Sequence, residues 1–224
     1  MSELCYKSYK YKTELLVSGY IKENYLQKTI KKYNYYDQAL ASLFVQFLGN
    51  IFFKFDLCHN KFKHEIINDG FEIKRDGTEE DVNQIIFACS RGVNEGIYEW
   101  RIKTMTNVQP NCGDGIGIAT NIEPLTNTDK ESIWIHNVQR DHNASFLHGG
   151  GSFYPIDKRN RSVDADEWSK GDIITIIINC DDWTVKFFMN DKLLGNKAYD
   201  IPKNMTYHLV ISSQYGGQHY ILLH

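Results

Sequence analysis

From Ile51 onward the sequence is a close succession of short β-forming runs with no helical segment between them. Apolar and polar residues alternate within a run, as in Trp183-Thr-Val-Lys-Phe187, and Gly, Asn and Asp separate the runs. The predicted strands are 51–56, 71–74, 84–89, 97–104, 115–120, 132–136, 144–148, 172–179, 183–189, 206–212 and 218–223. Consecutive strands without crossover helices pair antiparallel, and so many strands do not form one flat sheet. The pattern therefore predicts a mainly β protein, an antiparallel two-sheet β-sandwich.

Residues 1–50 differ from the remainder in both period and charge. Apolar residues recur at helical spacing after Thr13 and again after Asp37, which predicts helices over 13–27 and 37–48. The first 36 residues carry seven lysines and three glutamates, a net +4, whereas the whole chain carries −3. We predict an N-terminal helical segment (1–50) and a sandwich domain (51–224), with the second helix packed on the sandwich or joining two copies as a homodimer.

Charge and hydropathy exclude several classes of partner. A net charge of −3 provides no broad basic field, which argues against nucleic-acid binding. The apolar run 39–53 is interrupted by Ser42, Gln46 and Asn50 and is shorter than the ~20 residues of a membrane span. The basic N-terminal arm keeps one membrane-related alternative open, a membrane-peripheral protein.

The cysteine pattern predicts the compartment. Five cysteines are scattered along the chain without a C-x-x-C pair: Cys5, Cys58, Cys89, Cys112 and Cys180. No basic start followed by an apolar run and a small-residue cleavage site opens the sequence, so nothing indicates secretion. We therefore expect reduced thiols in the cytosol or nucleus.

Constellations that carry chemistry are incomplete. His148-Gly-Gly-Gly151 has the form of an oxyanion loop, but the G-x-S-x-G elbow that such hydrolases need does not occur, so the glycines indicate a bulge or loop between strands. His136, His142 and His148 are spaced six apart across a stretch that predicts a loop, without the short spacings of metal sites. We predict no catalytic residue, no metal ligand and no cofactor.

Four segments in order resemble the SPRY domain, a concanavalin-like jelly roll. They are Gly96-Ile-Tyr-Glu-Trp100-Arg-Ile102, Gly115-Ile-Gly-Ile-Ala119-Thr120, Trp168-Ser-Lys-Gly-Asp172-Ile-Ile-Thr-Ile176 and Thr184-Val-Lys-Phe-Phe-Met-Asn-Asp191. Each segment alone is weakly specific, but their order and spacing across residues 51–223 are similar to the family pattern. The sequence departs from that pattern at Asp191, where the family usually has a turn glycine.

The resemblance implies a function and a site. SPRY proteins of the SOCS-box branch hold peptides in a shallow bowl of loops, and Arg75, Cys112, Trp134, Tyr215 and Gly216 correspond to its contact positions. The expected protein is a non-catalytic adaptor that binds a partner protein or peptide. On this hypothesis Arg75→Ala and Tyr215→Ala weaken binding and barely change stability.

Two alternatives stay open at this stage. In the first, Tyr215 packs on the sandwich edge and Arg75 is an ordinary surface residue. In the second, the sandwich is a glycan-binding lectin that uses acidic side chains around calcium.

Overall fold

The structure, a computed structural model, describes residues 53–58, 64–77, 85–107, 113–123, 143–156 and 163–223. The strands in these ranges are β1 (Leu57–Cys58), β2 (His64–Ile67), β3 (Glu72–Arg75), β4 (Ile85–Ala88), β5 (Ile97–Thr104), β6 (Gly115–Ala119), β7 (Ser145–His148), β8 (Ser152–Tyr154), β9 (Val163–Asp164), β10 (Ile173–Asn179), β11 (Thr184–Met189), β12 (Lys192–Leu193), β13 (Tyr199–Asp200), β14 (His208–Ser213) and β15 (His219–Leu223). Single 3-10 turns span Asn68–Gly70 and Leu194–Asn196.

These strands form two antiparallel sheets. The first has the order β1-β4-β14-β6-β7-β8-β9, and the second has the order β12-β11-β10-β5-β15-β3-β2, with β13 also paired to β11. The two-sheet antiparallel prediction is confirmed. Nine predicted strands coincide with β3, β4, β5, β6, β7, β10, β11, β14 and β15 to within about two residues at either end.

The predicted strand 51–56 is wrong over residues 53–56. Phe53 and Phe55 are buried, but the backbone N–H of Phe55 donates to Gly70 O beside the second sheet, and that of Asp56 donates to Ala88 O in the first. The chain therefore crosses from one sheet to the other here instead of pairing along either. The alternation of Phe53 and Phe55 with polar residues indicated that the two rings are buried. It contained no sign that the chain crosses between the sheets here.

Aromatic side chains from both sheets fill the space between them. Phe153 of β8 and Phe187 of β11 belong to opposite sheets, and their ring centroids are 4.8 Å apart. Trp100 of β5 packs edge-on against Phe53 at 5.4 Å. Burial of large aromatic rings supplies much of the apolar area that stabilises such a core.

Two of the motifs quoted above act as one structural unit. Asp172, which precedes β10, accepts hydrogen bonds from Ser169 N at 2.6 Å and from Asn190 Nδ2 at 2.8 Å. Asn190 Oδ1 in turn accepts from Ile173 N at 2.9 Å. Asn190 and Asp191 have φ of 49° and 65°, as a tight hairpin turn requires, so Asp191 takes the left-handed conformation for which the family pattern has glycine.

Several predictions fall on residues that the structure does not describe. These are the helices at 13–27 and 37–48, the strand at 132–136 and the domain boundary at residue 50, and they stay predictions. Within the described ranges, no helix is long and apolar enough to cross a membrane.

Candidate partner-binding site

We define the loop end of the sandwich as the end where β3, β5, β7 and β14 finish and where β6, β10 and β15 begin. The described connections at this end are 76–77, 105–107, 113–114, 149–151, 165–172, 190–191 and 214–218. A rigid scaffold that presents several connections side by side is a common way to build a binding surface.

Arg75 is the last residue of β3 and is only 2% exposed, so its predicted position on a surface loop is wrong. Side chains alternate along a strand, and Arg75 shares the inward face with Ile73 while Glu72 and Lys74 point outward. Its Nη1 donates a hydrogen bond of 2.8 Å to the backbone oxygen of Ser213, at the end of β14. The guanidinium therefore holds the start of the β14–β15 turn from inside the protein.

Asp114 holds the same peptide group from its other edge. This residue is 0% exposed, and its Oδ1 accepts a hydrogen bond of 2.6 Å from the backbone N–H of Gln214. In a trans peptide the C=O and N–H point in opposite directions, and the described chain contains no cis peptide bond. The Ser213–Gln214 peptide group is thus clamped between a cation at its oxygen and an anion at its N–H. We call this arrangement the charge clamp.

The rest of the β14–β15 turn is fixed by further hydrogen bonds. Gly217 N donates to Arg75 O at 2.9 Å, and Arg75 N donates to Gln218 O at 2.8 Å. The Gln218 side chain accepts from Thr106 Oγ1 at 2.7 Å and donates to Asn107 O at 3.3 Å. The Gln214 side chain accepts from Gly113 N. The turn is tied on both flanks to neighbouring connections.

Tyr215 and Gly216 lie at the centre of this turn. Tyr215 is half-buried, whereas Gly216 is buried, and the Tyr215 carbonyl accepts from Ser213 Oγ at 3.5 Å. The structure therefore brings Tyr215 and Arg75 together, with the tyrosine facing solvent in part and the arginine facing inward. Their role in binding stays a prediction.

Cys112 and Trp134 lie outside the described residues. Gly113, next to Cys112 in the chain, is at the loop end. Trp134 belongs to a stretch bounded by the described residues Glu123 and Asn143. Glu123 follows the end of β6 and Asn143 precedes the start of β7, at the end of the sandwich opposite the loop end. The predicted grouping of these two residues with Tyr215 stays a prediction.

Three polar residues of this site were not predicted from the sequence. Asp114, Gln214 and Gln218 are all buried and all bond to the turn or its neighbours. A weak signal existed, because Gly113-Asp114-Gly115 places one carboxylate between two glycines directly before an apolar strand, which is typical of a side chain that bonds to nearby backbone. Its partner is one hundred residues away in the chain, and that pairing has no local signal.

Solved structures place this architecture among known folds. The TRIM65 PSpry domain superposes with a TM-score of 0.56 at 10% identity, over 77% of this chain and 89% of its own length. The chain has the SPRY fold. The SPRY domain of human HERC1 has a TM-score of 0.48 at 15% identity, over 71% of this chain and 93% of its own, and a human SPRY domain has 0.49 at 12%, over 71% and 96%. No family model and no curated protein matches the sequence.

The glycine-rich segment that has the form of an oxyanion loop lies between two strands of the SPRY fold. Residues 149–151 form the tight turn between β7 and β8, in which Gly151 N donates to His148 O at 3.1 Å and Gly149 N donates to Asp114 O at 2.8 Å. The interpretation as a bulge or loop between strands is therefore confirmed. Among the described residues, no group of three or more His, Cys, Asp or Glu side chains is arranged to hold a metal ion.

A cluster at the opposite end of the SPRY fold contains Asp56, Ser90 and His208 but does not form a nucleophile–histidine–carboxylate chain. Both the backbone N–H and the hydroxyl of Ser90 donate to the Asp56 carboxylate, and His208 Nδ1 lies 2.9 Å from the backbone oxygen of Cys89. A catalytic triad needs the histidine between the hydroxyl and the carboxylate. Here the serine and aspartate bond directly to each other, so the cluster braces the connection after β4.

The burial of His208 predicts that the protein loses stability as the pH falls. Burial lowers its pKa below the ordinary 6.5, although the Cys89 carbonyl and the Asp56 carboxylate oppose the shift. The unfolded chain then binds the proton first as pH falls through 6.5, so stability is lost below this pH. We expect the free energy of unfolding, measured by urea denaturation, to fall less steeply between pH 7 and pH 5 in His208→Gln than in wild type. Equal slopes would contradict the assignment.

Proposed function

We propose that the chain is a non-catalytic protein-interaction module that binds a short peptide segment of a partner protein at the loop end, with Tyr215 as its main contact. The observation that carries this proposal is a half-buried tyrosine on a turn whose flanks are fixed by buried hydrogen bonds. Tyrosine is enriched at binding hot spots, and a turn that is already ordered loses little conformational entropy on association. The SPRY fold supports the proposal because it gathers several connections around this turn.

The cysteines support a reducing compartment for this activity. Cys89 and Cys180 are free thiols, and Cys58, Cys89 and Cys180 are all buried. Burial raises the pKa of the Cys180 thiol to about 11, with Asp181 adding to the shift. Buried thiols that stay reduced are typical of intracellular proteins, so we propose a cytosolic or nuclear location.

A random peptide library displayed on phage and selected on the purified full chain tests the proposal. We expect enriched peptides whose affinity falls at least ~5-fold in Tyr215→Ala, because truncation of a hot-spot residue typically removes more than ~1 kcal/mol. Fluorescence anisotropy with a synthetic copy of the best peptide measures the Kd. Tyr215→Phe shows whether the ring alone suffices.

Lys186→Ala is the matched control, since Lys186 is exposed on the outer face of β11, away from the loop end. It should leave the Kd unchanged. No enrichment above the bare support, or equal weakening by Lys186→Ala and Tyr215→Ala, would contradict binding at this site.

A further inference from the structure

We propose that Arg75 and Asp114 are positioning residues for this surface: the charge clamp fixes one orientation of the Ser213–Gln214 peptide group and thereby the direction in which Tyr215 projects. The inference rests on the proposed function. It differs from the role that the SPRY resemblance implies for Arg75, since a side chain that is 2% exposed and bonded to Ser213 O acts on the turn and not on the partner.

The clamp acts through the charge distribution of the peptide group. A peptide unit carries a dipole of about 3.5 D, with its negative end at the oxygen and its positive end at the N–H. The guanidinium faces the first and the carboxylate faces the second. Hydrogen bonds with an ionised partner are roughly twice as strong as neutral ones, and burial strengthens them further because little solvent screens them.

A peptide flip is the motion that this arrangement prevents. Rotation of the Ser213–Gln214 group by half a turn would direct its oxygen at the Asp114 carboxylate and its N–H at the Arg75 guanidinium. Both contacts would be repulsive, and neither charge could be solvated where it is. The two torsions that set this orientation, ψ of Ser213 and φ of Gln214, also set the path by which the backbone reaches Tyr215, so the clamp holds the entry to the turn.

Arg75 also holds the far side of the turn. Its backbone accepts from Gly217 N and donates to Gln218 O, so one residue of β3 contacts the turn before and after Tyr215. Tyr215 and Gly216 lie between these backbone contacts and the side-chain contact to Ser213 O. Arg75 therefore holds the chain on both sides of the recognition residue.

Asp114→Asn is the decisive variant, because an amide can accept from the native N–H or donate to the oxygen of a flipped peptide. We expect the Gln214 amide to exchange with deuterium at least ~10-fold faster, measured by NMR, relative to the Ile176 amide in the centre of β10. Global destabilisation alone would accelerate both amides together. Arg75→Lys, which keeps the cation, should stay within ~3-fold of wild type in the same ratio.

The peptide selected above supplies the second readout. Asp114→Asn should weaken its binding at least ~5-fold in wild type but produce little further loss in a Tyr215→Ala background, because a positioning residue acts through the residue it positions. Asp181→Asn is the matched control, since Asp181 Oδ1 also accepts from a backbone N–H, that of Gly96 at 2.9 Å, at the opposite end. It should change neither readout.

Additive losses in the double variant, or a Gln214 exchange rate that follows that of Ile176, would overturn the positioning role. If no peptide is selected at all, the proposed function is contradicted instead. The exchange ratio then confirms or overturns the clamp by itself.

Discussion

Arg75→Ala should lower the free energy of unfolding by about 3 kcal/mol, because it removes the charged donor of a buried carbonyl. The guanidinium is buried and bonds to Ser213 O, and Asp114 on the other edge of the same peptide group is fully buried. Its loss removes the hydrogen bond from Nη1 to the Ser213 carbonyl. Urea denaturation followed by tryptophan fluorescence measures the change.

Two further variants separate charge from packing. Lys74→Ala, on the same strand but exposed, should change stability by less than ~0.5 kcal/mol. Arg75→Met, which keeps most of the side-chain volume without the charged donor, should recover the part of the loss in Arg75→Ala that comes from packing. A stable Arg75→Ala protein that fails to bind peptide would instead support the surface-contact role expected from the resemblance.

The sequence carried most of the information about the sheets and little about the shortest strands. Regular alternation predicted β11, because Val185 and Phe187 must face one side and Thr184 and Lys186 the other, and a run rich in β-branched isoleucine predicted β10. By contrast β8, β9 and β13 are only two or three residues long, too short for a period to emerge. Their pairing depends on neighbours distant in sequence.

The resemblance and the structure agree on part of the candidate site and differ on its burial. Arg75 and Tyr215 lie at the same end of the sandwich, as the resemblance implies, and their role in binding stays a prediction. Alternation within β3 also puts Arg75 on the same face as the buried Ile73. Arginine is rarely fully buried, however, and this preference favoured a surface position for Arg75. Only the three-dimensional structure shows the Ser213–Gln214 peptide group that compensates the buried charge, together with Asp114.

Gly117→Ala should lower the free energy of unfolding by about 3 kcal/mol, at the upper end of the range for overpacking a core. Gly117 of β6 pairs with Phe146 of β7. A Cβ at this position would lie 2.0 Å from the backbone oxygen of Ser145 and 2.9 Å from the Cα of Phe146. Both contacts are with backbone, and β6 is buried along its length, so the two strands would have to separate. Urea denaturation measures the loss.

Gly217→Ala is the control that distinguishes crowding from backbone strain. Gly217 has a φ of 82°, which alanine adopts with difficulty, but the nearest atom to an added Cβ is 3.9 Å away. We expect a loss of about 1 kcal/mol from this conformational term alone. Gly117 lacks a positive φ, so a larger loss there isolates the close approach of β6 and β7 as its cause. A smaller loss at Gly117 than at Gly217 would mean that the strands separate easily, and the glycine in this SPRY-like segment would then need another explanation.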